Sequence, residues 1–168
     1  MTEERYAKLH KYFTEHKGMA KALNYVCGGL TLAVYVFFIT MLVVLVVNKQ
    51  YKLAYEIVLV CAVGFCACTV LRKVIDTPRP YDLYPYPPTI KRNKKGCSFP
   101  SRHVFSIAII ATCAMRLNPI CGIILIALTV LLAATRVIGG VHFVKDVFAG
   151  AGLAFLWGII GFSILSLI

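Results

Sequence analysis

Five stretches of this sequence are almost wholly apolar, at about 22–47, 53–71, 103–117, 120–138 and 141–168, and polar residues cluster between them instead of alternating along them. At ~1.5 Å of rise per residue, some 20 apolar residues in a helix cover the ~30 Å hydrocarbon core of a bilayer. The pattern therefore predicts membrane helices, with the third stretch short and little tilted. Asn48-Lys49-Gln50, Asn118-Pro119 and Gly139-Gly140 mark turns between them. Gly28-Gly29, and Gly150, Gly152, Gly158 and Gly161 in the last stretch, predict close helix contact or a bend. Ahead of the first stretch, residues 2–17 predict an amphipathic helix capped by Thr2, with Glu3 and Glu4 at its positive end. Tyr6, Leu9 and Phe13 fall on one face and Arg5, Lys8, Lys11 and Lys17 on others, a pattern suited to the membrane surface. Residues 72–102 form the one long polar segment. Pro78, Pro80, Pro85, Pro87 and Pro88 bar a regular helix there, and Tyr81, Tyr84 and Tyr86 suit an interfacial position. Its tip, Lys91, Arg92, Lys94 and Lys95, is expected to be a solvated, lipid-facing charge run. The fold class is thus all-α, a polytopic transmembrane helix bundle of about five spans plus an N-terminal interfacial helix (1–21), in a single unit spanning 1–168.

Composition narrows the function. With 60% hydrophobic residues in 168 and a mean hydropathy of +0.79, the chain lacks the polar residues to cover a soluble domain. Its formal net charge of +11 lies in short segments between spans, which points to anionic lipid headgroups and phosphorylated substrates as partners and away from nucleic acid. Seven cysteines, mostly inside apolar runs, form no CxxC pair or metal-ligand spacing and behave as small hydrophobes. Cys97 differs, because it sits in the polar segment. The first twenty residues are too charged, and the next run too long, for a cleavable signal peptide.

Five spans bring the N-terminus, the 72–102 segment and residues 135–146 out on one side. Ionisable residues at the ends of membrane helices then converge as a candidate site. Arg72, Arg79, Arg102 and Arg136 offer planar, permanently charged forks that match phosphate oxygens. His142 and Asp146, at i and i+4, share a helical face, so the carboxylate can fix the ring tautomer and free the other nitrogen to attack. His103, on a different helix, is placed to protonate a leaving oxygen. Asp76 and Asp82 stand apart and are expected to be structural.

These residues resemble the motifs of the type 2 phosphatidic acid phosphatase superfamily, the integral-membrane lipid phosphatases related to vanadium-dependent haloperoxidases. That family's Lys-x6-Arg-Pro is matched by Arg72 with Arg79-Pro80, its Pro-Ser-Gly-His by Pro100-Ser101-Arg102-His103, and its Ser-Arg-x5-His-x3-Asp by Thr135-Arg136, His142 and Asp146. The resemblance implies a phosphohistidine on His142, oriented by Asp146, with His103 as acid and then as activator of water. It implies that Arg72, Arg79, Ser101 and Arg136, with backbone N–H groups at Arg102 and His103, hold the phosphoryl oxygens. It implies no metal or other cofactor. Arg72 for Lys and Thr135 for Ser keep charge and hydroxyl. Arg102 for Gly puts a bulky cation where the family keeps the backbone bare, so its side chain either turns away or adds a contact to a second phosphate or headgroup. The family more often has six spans.

Fifteen of the eighteen Lys and Arg residues fall on the site's side by this topology. The positive-inside rule would place them in the cytoplasm, whereas most members of the family face outward. The outward orientation in the cell membrane is the expectation adopted. Candidate substrates are a polyprenyl diphosphate such as undecaprenyl pyrophosphate, phosphatidylglycerophosphate, phosphatidate or a lipid A phosphate. Vanadate-dependent halide oxidation fits a membrane bundle poorly, and a non-catalytic lipid binder or transporter would need no His142–Asp146 pair.

Overall fold

The chain folds into helices placed around one central helix, as a computed structural model describing residues 2–90, 92 and 94–167 shows. Lys91, part of the expected basic tip, lies outside the described residues. In chain order the helices are α1 (Glu3–Glu15), α2 (Lys17–Val47), α3 (Tyr51–Ile75), α4 (Pro80–Leu83), α5 (Arg102–Leu117), α6 (Pro119–Ile138) and α7 (Val144–Leu165), and no strand occurs among the described residues. Four of them, α2, α3, α6 and α7, are long and apolar enough to cross a bilayer. At 16 residues, α5 spans only about 24 Å. It is tolerated at that length because it is wrapped by protein: every residue from Val104 to Ala111 is buried. It packs chiefly on α6 and α7 and also on α3 and α2.

Local chemistry sets the breaks. Helix α3 ends at Asp76 in a left-handed conformation (φ 38°), its N–H donating to Arg72 O. Pro80 opens α4, whose first turn is held by Asp82 accepting from Arg79 N at 2.9 Å. Asn118 caps α6 through its side-chain oxygen, which accepts from Ile120 N and Cys121 N, with Pro119 in the first position, where a missing N–H does no harm. Helices α5 and α7 cross closely: a Cβ on Gly150 would sit 2.6 Å from Ser101 O, and one on Gly158 2.6 Å from the Thr112 methyl. Two expectations about glycine are corrected. Gly28 and Gly29 lie within an uninterrupted α2 with no other atom near enough to explain them as a contact, and Gly152 likewise faces open space.

His103, at the start of α5, and Arg136, near the end of α6, line one cavity, so α5 crosses to the far end and α6 returns. The same end holds α1, whose apolar face meets protein. Tyr6 is buried, donates to Tyr86 O at 3.1 Å and stacks near the Tyr84 and Tyr86 rings. His10 bonds Pro87 O at 3.1 Å. The helix thus straps the 72–102 segment, and the exposed Lys8 and Lys11 faces are left for solvent and headgroups.

Candidate active site

The polar segment from α3 to α5 is not the open loop its prolines suggest. Its far limb is tied to its near limb by donors that seek the two aspartates: Cys97 N donates to Asp76 Oδ1 and Gly96 N to Asp82 Oδ2, each at 2.9 Å. Ser98 N donates to Thr77 O, and Phe99 N to the Thr77 hydroxyl. Asp76 and Asp82 are structural, as expected, and the device they form folds the basic tip inward. Arg92, Lys94 and Lys95 therefore join Arg72, Lys73, Arg79, Arg102, His103 and His142 around a cavity of about 170 Å³. Lys94 and Lys95 stay solvated on its rim. The lipid-facing reading fails for Arg92, which is half-buried and sits 3.2 Å from His103 Nε2.

Burial of the Arg72 and Arg79 guanidinium groups is met by backbone carbonyls and, for Arg79, by the Tyr81 ring 5.9 Å away. Arg72 Nη1 donates to Pro100 O at 2.7 Å and Nη2 to Cys97 O; Arg79 Nε donates to Gly96 O at 2.9 Å. Neutral acceptors satisfy hydrogen bonds but leave the charge uncompensated, and no carboxylate lines the cavity among the described residues. Such a wall favours an anion. Arg102 also lines it, with its guanidinium 5.2 Å over the Phe65 ring, so its side chain does not turn away. Arg136 is 5% exposed, its Nε is without a partner, and it lines an adjoining cavity that shares Arg92 and His103 with the first. Ser101 is fully buried, its hydroxyl is unpartnered, and it lines neither cavity; its N–H is committed to Asp146 O at 2.8 Å. Thr135 turns its hydroxyl back to Leu132 O.

His142 and Asp146 are 2% and 0% exposed. His142 Nδ1 lies 3.5 Å from Asp146 Oδ2. A third residue, absent from the sequence reading, stands between them. Ser98, wholly buried, donates from Oγ to Asp146 Oδ2 at 2.5 Å and lies 3.3 Å from His142 Nδ1. Since Ser98's proton is spent on the carboxylate, its oxygen accepts from Nδ1–H, which makes Nε2 the bare nitrogen. Nε2 has no protein partner among the described residues, and His142 borders the cavity. Asp146 Oδ2 also accepts from Phe143 N at 2.9 Å, which anchors the start of α7. Burial is the main cause that lowers the His142 pKa to about 4, with nearby Arg79 and Arg72 acting in the same direction and Asp146 opposing them. The ring is neutral at physiological pH, the state a nitrogen nucleophile needs.

Among the described residues no three His, Cys, Asp or Glu side chains converge as a metal-ligand set. The chemistry that this geometry can support is attack by a buried neutral imidazole on an anion held by guanidinium groups.

Comparison with known proteins identifies the family and the fold. Residues 31–167 match the PAP2 superfamily. Two solved structures share the fold at 23% identity each. LpxE of Aquifex aeolicus superposes with a TM-score of 0.69 over 87% of this chain and 93% of its own. A PAP2 type phosphatidylglycerolphosphate phosphatase from Bacillus subtilis gives 0.65 over 96% and 92%. No curated protein matches the sequence. The chain belongs to the PAP2 superfamily, the family its three motifs resemble, and is a multi-pass membrane protein.

Proposed function

We propose that this PAP2 phosphatase hydrolyses a phosphate monoester or diphosphate on a lipid headgroup through a phosphohistidine at His142, with no metal. The observation that carries the reading is the juxtaposition of a buried, neutral, oriented imidazole with a small cavity walled by unneutralised cations. Arg72, Arg79, Arg102 and Arg136 pair with the phosphoryl oxygens, and the Ser101 hydroxyl joins them on a small rotation of the Pro100–His103 turn. His142 Nε2 attacks phosphorus while the bond to the lipid-side oxygen breaks. Nδ1–H stays on Ser98 and the Asp146 carboxylate, which stabilises the positive charge forming on the ring.

His103 gives its proton to the departing oxygen. With the cavity empty, its Nε2 accepts from Arg92. A bound phosphate draws Arg92 onto itself and pairs equally with a protonated His103, so the substrate itself arms the acid. In the second half, His103 takes a proton from water as that water attacks phosphorus, the N–P bond breaks and inorganic phosphate leaves. The phosphoryl transition state asks mainly for positioning and charge neutralisation, which is what this wall provides.

The likeness to a phosphatidylglycerolphosphate phosphatase supports phosphatidylglycerophosphate as one candidate. A polyprenyl diphosphate such as undecaprenyl pyrophosphate, phosphatidate and a lipid A phosphate complete the panel. The chain acts as a single unit over 1–168, with its site on the outer face of the cell membrane; protease or labelling access to tags at either terminus checks the orientation. The decisive experiment is phosphate release from the panel by the purified protein and by His142→Ala. Release by the parent alone, with acid-labile label trapped on it, is expected. Equal release by both sinks the mechanism, and release by neither favours a binder without catalysis.

A further inference from the structure

The basic cavity and the one adjoining it share two wall residues among those described, Arg92 and His103. His142 borders the first cavity only, and Arg136 borders the second only. The second is the larger, about 400 Å³ against about 170 Å³, and no carboxylate lines it among the described residues. Its donors on α2 are already engaged. Asn24 Nδ2 donates to Ala20 O at 2.8 Å and Thr89 O at 3.0 Å, and the Thr31 hydroxyl donates to Cys27 O at 2.8 Å. Arg136, 5% exposed, keeps a buried Nε with no partner among the described residues. The donors left for a ligand are thus chiefly guanidinium groups. Helix α2 leaves the space open at Gly28, which lines it and where an added Cβ would meet no atom within 4 Å. Apart from His103 and Arg136, these walls lie outside the three motifs.

We infer that the second cavity holds a further phosphate of the substrate, on the lipid side of the bond that breaks, and that the protein selects lipids carrying one. The inference rests on the phosphatase reading above and names its substrate class. In an in-line displacement the leaving oxygen departs on the face of phosphorus opposite the nucleophile. With His142 bordering the first cavity and the acid His103 on the shared wall, that oxygen lies at the wall and its substituent enters the second cavity. A hydrocarbon substituent would strip water from Arg136 and Arg92 and give them no acceptor, which is costly. A phosphate gives both guanidinium groups oxygens to pair with. On a lipid diphosphate, a bond from His142 Nε2 to the terminal phosphorus forms as the bond to the bridging oxygen breaks. The electron pair stays on that oxygen, His103 supplies its proton, and the lipid leaves as a monophosphate. Arg136, set on the phosphoryl oxygens in the mechanism above, then spans both groups. A diester phosphate one glycerol away, as in phosphatidylglycerophosphate, offers the same chemistry to the same wall. Phosphatidate has no second phosphate to place there.

Two matched pairs of lipids test the assignment and separate the two sources of a second phosphate. One is farnesyl diphosphate against farnesyl monophosphate; the other is phosphatidylglycerophosphate against phosphatidate with the same acyl chains. The parent is expected to show a kcat/KM at least about tenfold higher for the doubly phosphorylated member of one pair or both. The pair that shows it identifies the spacing the subsite accepts. Gly28→Leu fills the second cavity from α2 and puts a better helix former there. It is expected to bring the preferred lipid to within about twofold of its partner, while turnover of the singly phosphorylated lipid stays within about twofold of the parent's. Arg92→Gln should lower kcat/KM for the doubly phosphorylated member at least about tenfold more than for its partner. No preference in either pair, a preference that survives Gly28→Leu, or an equal loss in both members with Arg92→Gln overturns the subsite. Binding gives a reading that does not require turnover. The same four lipids are titrated onto the His142→Ala protein, and the same preference in Kd, lost when Gly28→Leu is added, is expected. A margin due to net charge alone would survive that addition and overturn the inference. Absence of phosphate release by the parent from every lipid is a failure of the catalytic reading, and the Kd values then decide the subsite by themselves.

Discussion

At the end of the bundle remote from the polar segment, Arg116 of α5 lies 3.7 Å from Glu56 of α3 and 4.8 Å over the Phe162 ring. At the other end the guanidinium groups of Arg72 and Arg79 donate to carbonyl oxygens, Arg79 also lies 5.9 Å from the Tyr81 ring centroid, neither meets a carboxylate among the described residues, and Arg136 has a buried Nε with no partner there. One residue type, at the two ends of the same bundle, is thus handled in opposite ways. The far arginine has its charge answered by the protein and ties α3, α5 and α7 together. The near ones are fixed in place with their charge left for a ligand. Membrane burial of arginine by itself therefore says little about function; the identity of its acceptors separates a structural pin from a binding site.

The strongest way to break this contrast is to remove the nucleophile. His142→Ala is expected to reduce kcat by roughly 10⁴-fold or more, since members of a catalytic unit fail together. Its thermal unfolding in detergent should stay near that of the parent. Retention of even a tenth of the parent's phosphate release would mean that His142 is not the nucleophile.

Arg79→Ala comes next. It removes one guanidinium without opening the bundle core, and kcat/KM is expected to fall about 10²- to 10³-fold, the usual loss for one charge-stabilising donor. Inorganic phosphate as a competitive inhibitor should weaken in parallel. A loss confined to thermal stability, with kcat/KM intact, would put Arg79 in the same class as Arg116.

How much of this was legible beforehand depends on the distance over which each residue finds its partners. The five long helices and the three motifs announce themselves locally, through apolar runs and fixed spacings. His142 and Asp146 were readable because four residues on a helix is a contact. Ser98 was not: its partners lie 44 and 48 residues away, and nothing in Cys97-Ser98-Phe99 points to them. Arg92 was misplaced for a related reason. In a run of four cations it looks like any solvated tip, and only the Asp76 and Asp82 tethers, whose acceptors sit 14 to 21 residues from their donors, turn it toward His103. Those two aspartates, poorly matched to a basic lipid-facing loop, were the signal that the segment folds back on itself. The α1 face was read correctly as amphipathic, but which surface would cover Tyr6 depended on a contact 80 residues away.

Ser98→Ala sharpens the comparison on a finer scale, because it removes a positioning group and leaves every cation in place. Without the bridge, Nδ1–H has only Asp146 at 3.5 Å to hold the tautomer. A fall of about tenfold in kcat is expected, with KM nearly unchanged, the split that marks an interaction made mainly in the transition state. The His142 ring offers a second readout. Its lowered pKa, about 4, means that it stays neutral as pH falls from 7 to 5 and gains its proton only near 4. The titration of labelled His142 in the empty parent should show that midpoint. A midpoint near the ordinary 6.5 would show that burial does not hold the ring neutral, and activity would then fall a full two pH units earlier on the acid side.

The smallest effect on catalysis should come from the far end. Glu56→Gln leaves Arg116 its ring contact and a neutral acceptor but removes the one carboxylate beside it among the described residues. Glu56 is 7% exposed, so its charge is desolvated, yet the Arg116 side chain is 42% exposed and solvent takes up part of what the pair provides. A loss of about 1–2 kcal/mol in stability is therefore expected, below the range for a fully buried pair. Phosphate release at a temperature where both proteins are folded should differ less than about twofold. A larger drop in kcat/KM would mean that α5 transmits the state of its far end to His103, and the two ends of the bundle would no longer be separable into a pin and a site.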